Sequence, residues 1–182
     1  LAHQKGFQLL PEALAELRRR RVKMQLVAAV DGEPALRDLV VAQDSRELRV
    51  RHRPYNEQLT RMVVYPGADA LLMPSVYEPC GLSQMIAQQN ATVPIVHATG
   101  GLRDTVDDGK TGFVFHRFGP GELVSAVERA YKLFRDDPTG WDAMRRRVMD
   151  LDYSWAKSAG EYVELYREAI RRVDLRVHGG QP

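Results

Sequence analysis

The sequence predicts an α/β fold in which helices cover both faces of a parallel, Rossmann-like sheet. Segments with apolar residues at helical spacing alternate along the chain with short, continuous apolar runs. These runs are apolar on both faces, as in strands buried between two layers of helices. The length of 182 residues, with 44% hydrophobic and 27% charged residues, is sufficient for one globular domain.

The elements of the first half alternate in type. Helical spacing over residues 7–17 precedes a buried strand at 22–30, and helical spacing returns at 34–42. A short strand follows at 47–52, in which Arg49 and Arg51 alternate with apolar residues. A helix over residues 56–65 completes this half.

The second half begins with a compact apolar strand at 70–74, which ends at a proline. A helix at 81–89 and strands at 93–97 and 112–115 follow. Beyond residue 121 the pattern is helical, with Ser154 as the N-cap of the last helix. Two apolar stripes mark these helices: Leu123, Val124, Val127, Ala130, Tyr131 and Phe134, then Tyr162, Val163, Leu165, Tyr166, Ala169, Ile170 and Val173.

Ligands of an open parallel sheet bind beyond the carboxyl ends of its strands. This rule selects four loops: residues 3–6, 54–55, 75–81 and 98–104. Glu78 is a carboxylate between a strand and a helix, while Gly100 and Gly101 would let the backbone approach a phosphate, to which Lys5 could add a charge. A glycine pair alone is more often a tight turn, and a lone glutamate is more often on the surface. Spacing alone therefore indicates no more than a nucleotide-binding α/β domain.

Charge and cysteine content argue against several other classes of protein. The net charge of +2 is too small to indicate nucleic-acid binding, and the arginine runs at 18–21 and 145–147 suit helix ends. The single Cys80 rules out an intrachain disulfide and a multi-cysteine metal site. No apolar run has the length of a membrane span. We expect no metal, no cofactor, no nucleic acid and no membrane association.

The segment at 68–84, which contains Glu78-Pro79-Cys80-Gly81-Leu82, closely resembles the signature of glycogen and starch synthases. Further matches to that family lie at 4–6, 99–106, 111–115 and 152–155, so the resemblance covers nearly the whole chain. Many other retaining glycosyltransferases built from two Rossmann domains carry a second glutamate eight residues after the first. Ile86 stands there, which favours the narrower family over other nucleotide-sugar transferases.

The resemblance implies the C-terminal half of a GT-B glycosyltransferase that lacks its first strand. Such enzymes transfer glucose from ADP-glucose, or less often UDP-glucose, to the non-reducing end of an α-1,4-glucan and retain the anomeric configuration. By resemblance, Glu78 and Lys5 would be the catalytic residues: Lys5 would bind the diphosphate, and Glu78 would hold glucose hydroxyls. Tyr55 would stack on the base. Other predicted contacts are Cys80, Gly81 and Leu82 with the sugar, and Thr99, Gly100 and Gly101 with the phosphates.

The resemblance also implies a domain organisation. Residues 1–173 would form the nucleotide-sugar-binding domain, with a C-terminal helix at 154–173 that crosses back to the other half and a frayed tail at 174–182. The glucan acceptor would bind the other half, so we expect the isolated chain to be unstable and inactive. The compartment would be bacterial cytoplasm or plastid stroma. Departures at Val76, Pro54 and Asn90-Ala91 leave an inactive regulatory homologue as one alternative. The other is a different nucleotide-sugar-dependent GT-B glycosyltransferase.

Overall fold

A computed structural model describes residues 3–178, with side chains described as far as residue 173. It divides into two compact units, Leu1–Asp150 and Leu151–Pro182. The first unit contains every strand of the described chain, and the second contains the last helix. No helix among the described residues has both the length and the apolar character that a membrane crossing needs.

The five strands of the described residues all pair in parallel. They are β1 (Met24–Ala29), β2 (Leu48–Arg53), β3 (Ala70–Met73), β4 (Val93–His97) and β5 (Phe113–Phe115). Each lies within one residue of its predicted segment, apart from the shorter β1. The predicted α/β class with a parallel sheet is therefore confirmed.

The helices occupy the segments between the strands and the whole C-terminal part. Their bounds are α1 (Leu10–Arg19), α2 (Pro34–Val41), α3 (Glu57–Leu59), α4 (Tyr65–Gly67), α5 (Ser83–Gln89), α6 (Gly100–Thr105), α7 (Pro120–Asp136), α8 (Pro138–Met149) and α9 (Trp155–His178). Short 3₁₀ turns at His3–Lys5 and Phe7–Leu9 precede α1, and a π-helical turn, Thr60–Val64, joins α3 to α4.

The sheet is divided between β1 and β3. The strand order is β1-β2 in one hydrogen-bonded sheet and β3-β4-β5 in another. Among the described residues, β1 pairs only with β2 and β3 pairs only with β4, so the two strands share no backbone pairing.

The core of the first unit lies on α1, which buries Leu10, Ala13, Leu14 and Leu17. This apolar face packs with Leu48 and Val50 of β2 and with the buried face of α7 in one cluster. The predicted α7 stripe is confirmed for Leu123, Val124, Val127 and Ala130, whereas Phe134 is 43% exposed. Full burial of one such aliphatic side chain contributes about 1.5–3 kcal/mol.

Two aspartates fix strands in the same way. Asp44 accepts a hydrogen bond from the Val50 N–H at 2.8 Å, and this bond, with a second from Arg51, lowers the pKa of Asp44. Asp108 accepts from the Val114 N–H at 2.7 Å and from Arg129 of α7 at 2.8 Å. Partial burial works to raise the pKa of Asp108, but these two bonds outweigh it and the pKa is lowered. Each carboxylate thus holds a strand that begins a few residues later.

The second unit consists mainly of α9. The Lys157 N–H donates to Ser154 Oγ at 3.4 Å, in agreement with the predicted N-cap. The predicted apolar stripe of α9 is exposed over most of its length, at Tyr162, Val163, Leu165, Tyr166, Ile170 and Val173. Of the predicted frayed tail, the described residues include only the backbone of α9 to His178, and residues 179–182 lie outside them.

Candidate active site

The candidate site lies beyond the carboxyl ends of β3 and β4, the neighbouring strands of the larger sheet. The loop after β3 carries Glu78, and the loop after β4 carries Thr99 and leads into α6. Glu78 is only 7% exposed although it lies in a loop. A buried carboxylate requires partners that compensate for the loss of water.

Lys5 and Ser75 are the partners of Glu78. Lys5 Nζ lies 2.6 Å from Glu78 Oε2 and forms an ion pair with it. Ser75 Oγ donates a hydrogen bond to the same oxygen at 3.2 Å. The structure thus joins the two residues predicted to be catalytic, which are 73 positions apart in the sequence. The pair supplies a positive and a negative group at one point of the sheet edge.

Gly6 allows Lys5 to reach this position. Its φ is +72°, and a Cβ there would lie 1.6 Å from the carbonyl oxygen of Pro74. The N-terminal segment is also tied to the Glu78 loop by two hydrogen bonds, from the Val76 N–H to the Gln4 carbonyl at 2.9 Å and from Gln4 Nε2 to the Tyr77 carbonyl at 3.3 Å. The predicted Gln4-Lys5-Gly6 motif is therefore a packing unit as well as a source of charge.

Gly100 and Gly101 lie directly on the Glu78 loop. A Cβ at Gly100 would lie 2.0 Å from the Glu78 carbonyl oxygen, and one at Gly101 would lie 2.0 Å from the Cys80 carbonyl oxygen. The Gly101 N–H donates to the Glu78 carbonyl at 3.0 Å, and Thr99 Oγ1 donates to the Val76 carbonyl at 3.2 Å. The two loops expected to act together are in contact. The binding of phosphate by Thr99, Gly100 and Gly101 stays a prediction.

The rest of the Glu78 loop has a mixed environment. Cys80 is exposed and Leu82 is 67% exposed, so both side chains are accessible to a ligand. Gly81 has a φ of +75°, and a Cβ there would lie 2.4 Å from Gln84 Oε1. Gln84 in turn donates to the Cys80 carbonyl at 3.2 Å, which fixes the start of α5 against the loop.

Tyr55 lies beyond the end of a strand in the other sheet. It follows β2, is 53% exposed, and its N–H donates to Asp31 Oδ1 at 3.2 Å. An exposed ring at a strand end can stack on a planar base. Stacking of Tyr55 on the nucleobase stays a prediction. A surface depression of about 450 Å³ lies near the start of β1 and β2 and contains no predicted site residue; it is lined by Lys23, Met24, Gln25, Arg46, Glu47 and Arg49.

Sequence reasoning left two residues of this site without a role. Ser75 is 1% exposed and donates to Glu78, and His97 is 9% exposed with Nδ1 2.7 Å from the Ser75 carbonyl oxygen. Both stand at strand ends, which is the signal that could have selected them. Their contacts depend on how β3 and β4 are aligned, and the sequence does not specify this alignment.

The fold and the two contacting loops define a Rossmann-like α/β domain with a polar site at the carboxyl ends of its strands. The family model described as glycosyl transferases group 1 matches residues 1–137. This chain belongs to that family.

Curated relatives of the chain include glycogen synthases. The chain is 39% identical to glycogen synthase of Desulforudis audaxviator over 95% of its length, and 42% identical to that of Syntrophotalea carbinolica over 93%. In each case it spans 36% of the relative.

A solved structure shows the same likeness. The catalytic domain of starch synthase IV from Arabidopsis thaliana, bound to ADP and acarbose, aligns with a TM-score of 0.74 and 30% identity. The alignment covers 94% of this chain and 37% of that one. The chain thus corresponds to a little over one third of these relatives.

Proposed function

We propose that this chain is the nucleotide-sugar-binding half of a retaining glucosyltransferase. The full-length enzyme would transfer glucose from ADP-glucose or UDP-glucose to the non-reducing end of an α-1,4-glucan, in glycogen or starch synthesis. The observation that carries the proposal is the ion pair between Glu78 and Lys5, 2.6 Å long, at the point where the Gly100 loop contacts the Glu78 loop. The glycogen synthase relatives and the ADP-bound starch synthase support it.

The proposed roles follow from the charges that develop in the reaction. Cleavage of the sugar–phosphate bond places negative charge on the leaving diphosphate, where the Lys5 ammonium would stabilise it. Positive charge develops on the glucose ring, where the Glu78 carboxylate would hold hydroxyls and stabilise the ring. Cys80, Gly81 and Leu82 would line the sugar site, Tyr55 would stack on the base, and the Thr99–Gly101 loop would contact the phosphates.

The proposed organisation places the acceptor glucan on a second half of the protein. Residues 1–173 would form the donor-binding domain, and the helix at 154–173 would return to the other half. Active sites between two domains are completed when the domains close. We therefore expect no transfer by the isolated chain. The proposed compartment is bacterial cytoplasm, or plastid stroma in a plant or alga.

The test compares the full-length protein with its Glu78→Gln variant, given labelled ADP-glucose or UDP-glucose and glycogen. The amide keeps the shape of the side chain and removes its charge, so incorporation should fall about 100-fold or more. Glu12→Gln, an exposed position on α1, is the matched control and should retain activity. Unchanged incorporation by Glu78→Gln would show that the Glu78 carboxylate is not needed to hold and stabilise the donor glucose. No incorporation by the unaltered protein with either donor would favour the regulatory homologue.

A further inference from the structure

We propose that His97 is a positioning residue for Glu78 and acts through Ser75. The proposal rests on the proposed glucosyltransferase function, because it assigns His97 a part in orienting the carboxylate that would hold glucose. His97 would not touch the donor. Its contribution would be to fix the loop from which Glu78 reaches the sugar.

The first step is the contact between His97 and the backbone of the Glu78 loop. His97 Nδ1 lies 2.7 Å from the Ser75 carbonyl oxygen, and a carbonyl can only accept, so Nδ1 carries the hydrogen and donates. His97 is 9% exposed, and its ring contacts the rings of Phe115 and Phe118 at centroid distances of 5.2 and 5.4 Å. The ring has little freedom to turn away from Ser75.

The second step leads from Ser75 to the carboxylate. Ser75 Oγ donates to Glu78 Oε2 at 3.2 Å, and Lys5 Nζ contacts the same oxygen at 2.6 Å. Both donors therefore hold one oxygen, and Oε1 is the oxygen that would accept from a sugar hydroxyl. A rotation of Ser75 would rotate the carboxylate and change the direction in which Oε1 points.

The position of His97 in the sheet explains why its hydrogen bond to Ser75 would affect the orientation of the Glu78 carboxylate. The paired residues of β3 and β4 end at Met73 and Val96, and His97 follows immediately. Its side chain thus provides a link between the two strands just beyond their last backbone pair, where the Glu78 loop departs. A catalytic group loses efficiency when its supporting contacts do not hold it in the productive orientation.

The test uses the full-length protein and measures kcat and the KM for the donor separately. His97→Leu removes the donor and should lower kcat about tenfold, the effect of losing about one hydrogen bond, while KM changes by less than about threefold. His97→Asn can place an amide N–H near the position of Nδ1 and should recover most of the lost kcat. Ser75→Ala interrupts the same relay at its other end and should lower kcat by a similar factor.

Two further measurements separate positioning from a general loss of structure. In the Glu78→Gln background, His97→Leu should have little additional effect on kcat, because the group it positions is already altered. His116→Leu makes the same substitution at an exposed histidine just beyond β5, and should leave kcat within about twofold of the unaltered protein.

Three results would overturn the proposal. Equal kcat values for His97→Leu and the unaltered protein would show that the hydrogen bond is not needed. Equal losses for the Leu and Asn variants, or a full additional loss in the Glu78→Gln background, would show that His97 serves only the fold. In each case the unaltered protein still transfers glucose and the proposed function stands. An unaltered protein that transfers no glucose would overturn both proposals.

Discussion

At the scale of single residues, the position of Lys5 depends on the missing side chain of Gly6. The φ of +72° lies in the left-handed region, and the Pro74 carbonyl oxygen occupies the place of a Cβ. A methyl group there would have to push the N-terminal segment away from the end of β3. The ammonium of Lys5, one residue earlier, would move with it and leave the buried Glu78 with a weaker partner.

Gly6→Ala should therefore lower both stability and activity. The expected loss in the free energy of unfolding is about 2 kcal/mol, from backbone strain and steric displacement. Glucose incorporation by the full-length protein should fall about tenfold, because the Lys5–Glu78 geometry is altered. Urea unfolding and the incorporation assay measure the two effects.

Gly121→Ala is the control for this substitution. Nothing lies within 4 Å of a Cβ at that position, and it belongs to the first turn of α7. It should leave activity unaltered and keep or slightly raise stability. If Gly6→Ala behaves in the same way, the steric account of Gly6 is wrong.

The sequence was sufficient to identify the charged residues of the site, but not the residues that hold them in position. Glu78 and Lys5 stand at loops that the strand-end rule and the family motif both identify, and the structure joins them. The contacts of Ser75 and His97 arise only when β3 and β4 are in register, so no local pattern reveals them. The glycines at 100 and 101 were predicted for phosphate, and the structure adds a packing reason.

At the scale of elements, two helices end in the same unusual way. After α1 the Arg21 N–H donates to the Arg18 carbonyl and the Val22 N–H to the Leu17 carbonyl, which is the Schellman pattern. Ala91 and Thr92 repeat the pattern after α5. The residue at the left-handed position is normally glycine, yet Arg21 and Ala91 have φ values of 58° and 60°.

Arg21→Gly should stabilise the protein by about 1 kcal/mol, because glycine adopts the left-handed conformation without the steric cost of a Cβ. The exposed arginine side chain loses little on removal. Urea unfolding of the variant measures the change in the free energy of unfolding.

Arg18→Gly provides the opposite control. Arg18 is also exposed, and it lies within α1, three residues before Arg21. Glycine at this position should destabilise the helix by about 1 kcal/mol. Changes of the same sign in the two variants would contradict the conformational explanation and indicate that loss of positive charge dominates.

Sequence patterns located the long elements better than the short ones. α1 and α7 lie close to their predicted positions because each has an extended apolar face. The short α6 was missed, and the helix predicted over residues 56–65 contains an unpredicted π-helical turn at Thr60–Val64. In that turn the Tyr65 N–H donates five residues back, to the Thr60 carbonyl. Pro66 follows and has no N–H for a regular helical bond, so the irregularity depends on a single residue within an otherwise helical pattern.

At the scale of the whole molecule, the divided sheet leaves β1 and β3 without mutual pairing. Unpaired strand edges recruit other chains. Apolar side chains are also exposed on β1 and on the π-helical turn that contacts it: Val27 at 52%, Met62 at 72% and Val63 at 57%.

The 182 residues produced alone should therefore associate and melt without a sharp transition, whereas the full-length protein should melt cooperatively. Size-exclusion chromatography and scanning calorimetry measure the two properties. A monodisperse monomer with a single cooperative transition would contradict the role assigned to the unpaired edges.

The division of the sheet also separates the two ends of the proposed donor site. Tyr55 follows β2 in one sheet, and Glu78 follows β3 in the other, so no interstrand hydrogen bond links the elements that carry them. A nucleotide sugar held by both residues would act as a cross-link between the sheets. Binding of the nucleotide sugar would then raise the melting temperature of the protein and slow amide exchange in both β1 and β3.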